Sequence, residues 1–200
     1  TTFAYMFNSL YIPYPIFDTV GHVESGLVTL NKLETVEATR IALPSAYSWP
    51  KRAVMYKNCL VEHRIDIEET DNQLVVYNIH LDAYGKEEGK TEQLDKLMAV
   101  MQEEYAKGNY VIAGGDFNQT FPGVDTDKFP IINTENYVPN QLPEDYLPEG
   151  WKFAVDTDSP TTRLLNEEYS GNYENTQLYI VDGFVISPNI ECQSVETIEN

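Results

Sequence analysis

A carboxylate and an amide directly follow an apolar segment in VIAGGDFNQT, residues 111–120. Asp116 and Asn118 share one face if the chain stays extended through Phe117, and neither residue type stabilises a strand or a core. A carboxylate can orient or deprotonate water or hold a divalent cation, and an amide can donate a hydrogen bond to a phosphoryl group. Hydrolytic chemistry at the end of a strand is therefore one interpretation of the pair.

Two further side chains are candidates for the same site. His80 lies on the less apolar face of the alternating segment QLVVYNIHL, and an imidazole can protonate or hydrogen-bond a phosphate oxygen. Asp182 lies inside IVDGFVIS, where a buried carboxylate needs a partner. A purely structural interpretation is also open: Asp116 and Asn118 would cap a turn, His80 would belong to the core, and Asp182 would be exposed on an edge strand.

A strand–helix–strand unit would bring these residues together. We predict strands near residues 26–31, 58–67, 73–81, 110–115, 179–187 and 191–197, with a polar hairpin turn at 68–73. The segment 91–108 is predicted to be a helix, because one face carries Leu94, Leu97, Met98, Met101 and Tyr105. If that helix connects two parallel neighbours, the C-terminal ends of both strands lie at the same edge of the sheet, where ligand sites form.

The segment 119–150 differs in composition from the rest of the chain. It is polar, has little periodicity and contains five prolines: Pro122, Pro130, Pro139, Pro143 and Pro148. Long irregular segments in compact domains are usually functional or mobile. Because this one directly follows Asp116 and Asn118, we expect it to form one wall of a pocket.

Composition limits the classes of partner. Thirteen Lys and Arg against 32 Asp and Glu give a net charge of −19, which disfavours binding of nucleic acid, since such binding begins with neutralisation of phosphates by a basic face. No segment has the ~20 apolar residues that cross a bilayer. The 42% hydrophobic content is sufficient for a core, so we expect a soluble, monomeric domain whose compartment stays open.

Several of these segments, taken in order, resemble motifs of the endonuclease/exonuclease/phosphatase superfamily, which has the deoxyribonuclease-I-like fold. The matching segments are SGLVTLNKLE (25–34), NIHLDA (78–83), GKTEQLDKL (89–97), GGDFN (114–118) and VDGFVIS (181–187). The resemblance implies an α/β (α+β) fold, a four-layer α/β/β/α sandwich of two mixed sheets, with residues 1–200 forming a single domain that lacks its N-terminal strands and its C-terminal end.

The resemblance also implies roles for the candidate residues. His80 would contact or protonate the phosphate, Asp116 would orient or activate the attacking water, and Asn118 would stabilise the developing negative charge. Asp182 would orient a second catalytic histidine. Mg²⁺ or Mn²⁺ would act as a Lewis acid, with Asp116 and Asn118 as possible metal ligands.

Two departures from the family pattern reduce the expected activity. The metal-binding Glu of a Q-E motif does not precede residue 25, Glu24 does not fit that motif, and the terminal S-D-H is not present up to Asn200. We therefore expect residues 1–200 to be an excerpt trimmed at both ends, with weak Mg²⁺ affinity and little or no activity of its own.

The sequence thus predicts a parent protein that is a Mg²⁺-dependent phosphoesterase. A small-molecule or lipid-linked phosphate ester is the favoured substrate, because the negative charge opposes a polyanion. Asn78 and Arg163 are the candidate substrate-binding residues, although Arg163 could equally form a surface salt bridge. The alternatives are a nuclease of the same superfamily, a non-catalytic member that binds a ligand or partner, and an unrelated α/β domain in which GGDFN is only a turn.

Overall fold

The structure is a computed structural model that describes residues 1–13, 15–45, 47–50, 52, 55–83, 87–129, 131–132, 137–164 and 176–198. Its helix, α1, spans Glu87–Ala106, and Thr126–Lys128 form one turn of 3-10 helix. The strands are β1 (Thr2–Ile12), β2 (Gly21–Thr29), β3 (Glu37–Ala42), β4 (Cys59–Asp66), β5 (Gln73–His80), β6 (Tyr110–Asp116), β7 (Lys152–Ala154), β8 (Thr162–Arg163), β9 (Leu178–Tyr179) and β10 (Asp182–Ile186).

A six-stranded mixed sheet is the centre of the molecule. Its strand order is β3-β4-β5-β6-β10-β7. Only β5 and β6 run parallel, with α1 connecting them, and the other neighbours in this sheet are antiparallel. The predicted α/β class and the predicted parallel strand–helix–strand unit are therefore confirmed.

The helix covers one face of this sheet. Leu94, Leu97, Met98 and Met101 are buried in the main core, as the periodicity predicted. Tyr105 packs edge-on against Trp151, with ring centroids 5.6 Å apart. The helix begins four residues before the predicted start, and it ends where Gly108 adopts a positive φ of 92° and donates its N–H to the carbonyl of Tyr105.

The antiparallel hairpin β1–β2 covers part of the opposite face. Ala4 and Met6 of β1 are buried against Cys59 and Val61 of β4, with Leu27 of β2 packed beside them. The described residues therefore form three layers, namely α1, the six-stranded sheet and the hairpin. These are three of the four layers in the predicted sandwich.

Four predicted strands lie where the structure has them, since β2, β4, β5 and β6 overlap the predicted segments. The predicted strand 179–187 is divided into β9 and β10. This division arises because β9 pairs with β8, whereas β10 pairs with β6 and β7. The hairpin predicted around the turn 68–73 is confirmed by the antiparallel β4–β5 pair.

The predicted strand over 191–197 is wrong, because these residues form no strand in the described chain. Ile190 donates its N–H to the carbonyl of Ser187, which turns the chain away from β10. Further along, the N–H of Thr197 donates to the carboxylate of Asp156 and not to a neighbouring strand. Most side chains of the segment are exposed, so the alternation seen in the sequence has no core to face.

The segment after β6 forms an irregular loop over the described parts of 119–150; Pro130 and residues 133–136 lie outside them. Thr120 pairs with Asn140 and Leu142 through backbone hydrogen bonds, which close the loop on itself. Together with β9 the loop encloses a cavity of about 240 Å³, lined by Val124 and Ile180 among others. Separately, no helix in the described residues is long and apolar enough to cross a membrane.

Candidate active site

Three of the four predicted catalytic residues form a row across the sheet. His80 pairs in register with Asp116 on the parallel strand β6, and Asp116 pairs with Asp182 on the antiparallel strand β10. Residues directly opposite each other on neighbouring strands project from the same face of a sheet. His80, Asp116 and Asp182 therefore lie side by side at the edge where β5 and β6 end.

The row projects from the face that α1 does not cover. Ile79 and Ala113 belong to the fully buried core under the helix, and in a strand alternate side chains point to opposite faces. His80 is exposed, and Asp116 and Asp182 are half-buried. His80 is thus not a core residue, and Asp182 lies on an internal strand and not on an edge.

Asn118 lies just beyond the row in a left-handed turn. Its φ is 51°, a region in which Asn is among the few tolerated side chains. Its buried amide Nδ2 donates to the carbonyl of Leu81 at 2.8 Å, and its backbone N–H donates to Oδ1 of Asp116 at 2.7 Å. The turn-capping interaction considered from the sequence is therefore real, and it fixes Asp116 and Asn118 relative to the end of β5.

The double glycine before Asp116 has a steric cause. Gly115 has a φ of 139°, and a Cβ on it would lie 2.1 Å from the carbonyl oxygen of Ile79. A Cβ on Gly114 would lie 2.5 Å from the ring of Phe184. Glycine at these two positions thus permits the close approach of β5 and β10 that aligns the row.

The charges in the row influence each other. Burial raises the pKa of the Asp116 carboxyl, and the negative charge of Asp182 raises it further, while the N–H of Asn118 and the charge of His80 act in the opposite direction. No Lys or Arg in the described residues forms an ion pair with either aspartate. Two adjacent carboxylates without a cationic side chain favour a bound cation or a shared proton.

Two positioning residues were missed in the sequence. Asn58 is buried and donates from Nδ2 to the carbonyl of His80 at 2.9 Å. Oγ1 of Thr161 accepts the N–H groups of both Val181 and Asp182, each at 3.1 Å. Neither residue lies in a recognisable motif, and only the folded chain brings them to the row.

The two candidate substrate-binding residues lie on different strands, β5 and β8. Asn78 is one step below the row on the same face of β5, and its Nδ2 donates to the carbonyl of Val28 and to Oγ1 of Thr29 at 3.0 Å each. It therefore connects β5 to the hairpin. Arg163 lies on β8, two residues after Thr161, and is half-buried. A substrate contact stays a prediction for both.

A cavity of about 360 Å³ opens beside the His80 end of the row. Its walls are the β1–β2 hairpin, the chain before β4 and the residues that follow β5. His80 and Asp82 contribute polar groups, and Met6 and Leu27 contribute apolar surface from the hairpin. This volume lies within the range of about 300–1,000 Å³ that is typical of small-molecule sites.

The residues of the row fit a cation in an open site. Within the described chain no three His, Cys, Asp or Glu side chains are arranged to enclose a metal ion. Mg²⁺, however, keeps several waters and is commonly bound by one or two carboxylates together with substrate phosphates. The adjacent carboxylates of Asp116 and Asp182 provide that donor set.

No protein-family profile matches the sequence, and no curated protein matches it either. Solved structures are similar to the chain at low identity. TDP2 from C. elegans has a TM-score of 0.48 and 14% identity, covering 93% of this chain and 47% of TDP2. The catalytic domain of human Nocturnin, with a bound sulfate anion, also has a TM-score of 0.48 and 14% identity. The similarity covers 93% of this chain and 60% of the Nocturnin chain.

Sphingomyelinase C from Streptomyces griseocarneus has a TM-score of 0.42 and 11% identity, covering 78% of this chain and 65% of that enzyme. These three proteins are deoxyribonuclease-I-like members of the endonuclease/exonuclease/phosphatase superfamily, the one that the motifs resemble. The chain spans about half the length of TDP2, at 47%. At these identities and TM-scores the similarity describes the course of the chain and not its substrate or its metal.

Proposed function

We propose that the protein containing this chain hydrolyses a phosphate ester at the row formed by His80, Asp116 and Asp182. The observation that carries the proposal is the register of β5, β6 and β10, which aligns an imidazole and two carboxylates on one face. Asn118 is fixed beside them through Leu81. A turn without function would not require three polar side chains to be aligned on neighbouring strands.

The chemistry assigned to each residue follows from its position. A water oxygen attacks phosphorus, the bond from phosphorus to the ester oxygen breaks, and one proton of the water ends on the departing alcohol. Asp116 orients the water and accepts its proton, and its raised pKa makes it a stronger base than an ordinary Asp. His80 hydrogen-bonds a phosphoryl oxygen or protonates the leaving group.

Asn118 has one amide N–H left for the phosphoryl group. An amide nitrogen carries two donors, and the carbonyl of Leu81 accepts from this one. A preorganised donor of this kind stabilises negative charge that develops in the transition state. Asp182 supplies the second carboxylate beside Asp116, and together they are the groups that would hold Mg²⁺ or Mn²⁺, which supplies Lewis-acid polarisation of the phosphoryl oxygen.

A small or lipid-linked ester is the substrate class we favour over nucleic acid. The net charge of −19 opposes the binding of a polyanion. A nuclease of the same superfamily is the alternative within this chemistry. A non-catalytic protein that binds a ligand or a partner is the alternative outside it.

The test is hydrolysis of bis(p-nitrophenyl) phosphate and p-nitrophenyl phosphate by the full product of the gene that encodes this chain. We expect p-nitrophenol to be released in Mg²⁺ and to be lost in EDTA. Release on only one of the two esters would assign a diesterase or a monoesterase. Binding of inorganic phosphate without release from either ester would contradict hydrolysis and support the ligand-binding alternative.

A further inference from the structure

The cavity beside His80 differs in chemistry from the row that it adjoins. Its apolar lining comes from the hairpin and from the chain before β4, including Met6, Leu27, Met55 and Tyr56. Methionine adapts its shape to irregular ligands, and tyrosine offers a rigid amphipathic surface. The lining is therefore suited to a hydrocarbon or aromatic group.

The charged groups around the cavity disfavour the binding of a second anionic group inside it. Asp82 is the acidic side chain in the wall, and no Lys or Arg of the described residues lines it. Arg40 and Lys57 line a neighbouring cavity of about 210 Å³, on the other side of Met6 and Met55. Nε of Arg40 donates to the carbonyl of Tyr5 and another guanidinium N–H to the carbonyl of Lys57, so this cation is already engaged by the backbone.

The composition of the β1–β2 hairpin also favours an uncharged, apolar ligand in the cavity. Residues 1–17 contain no Asp, Glu, Lys or Arg, although charged residues make up 22% of the chain. Met6 and Leu27 lie on this hairpin, which is held against the end of β5 by the hydrogen bonds of Asn78 to Val28 and Thr29. The wall that faces His80 is therefore both apolar and fixed in position.

We propose that this cavity binds the uncharged apolar group of the ester, an alkyl or aryl group, while the phosphoryl group lies at His80 and Asp116. The inference rests on the proposed function and narrows its substrate class to esters with an apolar substituent. One polar end at the row and one apolar end in the cavity would select phosphate monoesters with a single hydrophobic substituent over nucleotides and bisphosphates.

The first measurement compares four ligands by isothermal titration calorimetry in EDTA, where no hydrolysis is expected: methyl phosphate, 1-naphthyl phosphate, 1-naphthol and fructose 1,6-bisphosphate. We expect 1-naphthyl phosphate to bind at least about tenfold more tightly than methyl phosphate. 1-Naphthyl phosphate should also bind more tightly than 1-naphthol, because its phosphate adds the contact to His80. Equal affinity for methyl and naphthyl phosphate, or a preference for the bisphosphate, would overturn the inference.

The second measurement places a charge in the cavity. Met55→Glu should reduce the preference for naphthyl over methyl phosphate to less than about threefold, since a naphthyl ring in the cavity would then have to displace the water that hydrates the carboxylate. Leu33→Glu is the matched control, because Leu33 is 58% exposed and does not line the cavity. Met55→Lys, with its fold checked by circular dichroism, should instead increase binding of the bisphosphate.

These outcomes separate the two proposals. Hydrolysis of p-nitrophenyl esters without any effect of Met55→Glu on naphthyl preference would sink the cavity assignment and leave the proposed function standing. Naphthyl phosphate that binds with the expected dependence on residue 55 but is not hydrolysed by the full gene product would contradict the proposed function alone. His80→Gln should weaken the binding of 1-naphthyl phosphate more than that of 1-naphthol, because only the phosphate ester loses a contact to the imidazole.

Discussion

Asp116 and Asp182 lie directly opposite each other across the β6–β10 ladder, two half-buried carboxylates on one face of the sheet. Like charges in this arrangement destabilise a sheet. We expect Asp182→Asn to raise the free energy of unfolding by on the order of 1 kcal/mol at pH 7 without divalent cations. Urea denaturation measures the difference, and Asp145→Asn, an exposed acid elsewhere, is the control.

The free energy of unfolding should also depend on pH through the Asp116 carboxyl. Its pKa is raised by burial above the ordinary 3.8, so the stability it contributes is fully present below pH 3.8 and is lost as pH rises through the raised value. Asp116→Asn should therefore stabilise the protein at pH 7 and leave it unchanged near pH 3. A variant that is less stable than the wild type at pH 7 would show that the carboxylate has a cationic partner in the fold.

A bound cation should reverse the sign of the same interaction. We expect Mg²⁺ or Mn²⁺ to raise the melting temperature of the wild type, since a ligand that binds only the folded state stabilises it. The increase should be lost in Asp116→Asn and in Asp182→Asn and retained in Asp145→Asn. An equal increase in all four proteins would place the cation elsewhere.

Gly115 is expected to be the more sensitive of two glycines with positive φ. Gly115→Ala should cost about 3 kcal/mol or more, because the new Cβ would lie 2.1 Å from the carbonyl of Ile79. Gly123→Ala is the matched control, with a φ of 84° and no heavy atom within 4 Å, and should cost about 1–2 kcal/mol for the left-handed backbone. Equal losses of stability in the two variants would mean that β5 and β6 can move apart to accommodate the new Cβ.

The sheet is also held to α1 by a buried ion pair away from the site. The guanidinium of Arg64 reaches both carboxylate oxygens of Glu104 at 2.8 Å, and this contact is the main cause that lowers the pKa of Glu104 from 4.5 to about 2. The stability that Glu104 contributes is present above pH 4.5 and is lost as pH falls towards about 2.

Glu104→Gln should therefore cost about 3 kcal/mol at pH 7 and much less near pH 2, because it removes one of the two buried carboxylates that pair with Arg64 and leaves that charge with Glu62 alone. Glu103→Gln is the control, since its side chain is 70% exposed and forms only a surface ion pair with Lys107. Chemical denaturation across this pH range measures both variants. A cost for Glu104→Gln that does not change with pH would contradict the ion pair as its source.

The local parts of the fold could be predicted from the sequence because their patterns are short-range. The face of α1 and the alternation in β5 both follow from periodicity within one element. The hairpin β1–β2 could not be predicted in this way, because apolar residues occur on both faces of β1, where Tyr5 is 44% exposed while Met6 is buried. Its pairing depends on contacts with β4 and β5.

The sequence predicts which residues form the candidate site, but it does not predict that three of them are aligned across the sheet. Motifs identify His80, Asp116, Asn118 and Asp182, yet their common level in the sheet depends on which strands are neighbours. That β10 pairs antiparallel with β6 is a long-range property. The same holds for Thr161, whose hydroxyl oxygen accepts the backbone N–H groups of Val181 and Asp182, 20 and 21 positions further along the chain.

The central proposal is tested most directly by the Mg²⁺-dependent kcat of the full gene product. The substrates are bis(p-nitrophenyl) phosphate and p-nitrophenyl phosphate, and the proteins compared are the wild type, Asp116→Asn and Asp145→Asn. We expect Asp116→Asn to lower kcat by about 10²–10⁴-fold while it stays folded and at least as stable as the wild type. Asp145→Asn should keep the wild-type rate. Hydrolysis by Asp116→Asn at the wild-type rate would contradict the assignment of the row as the active site.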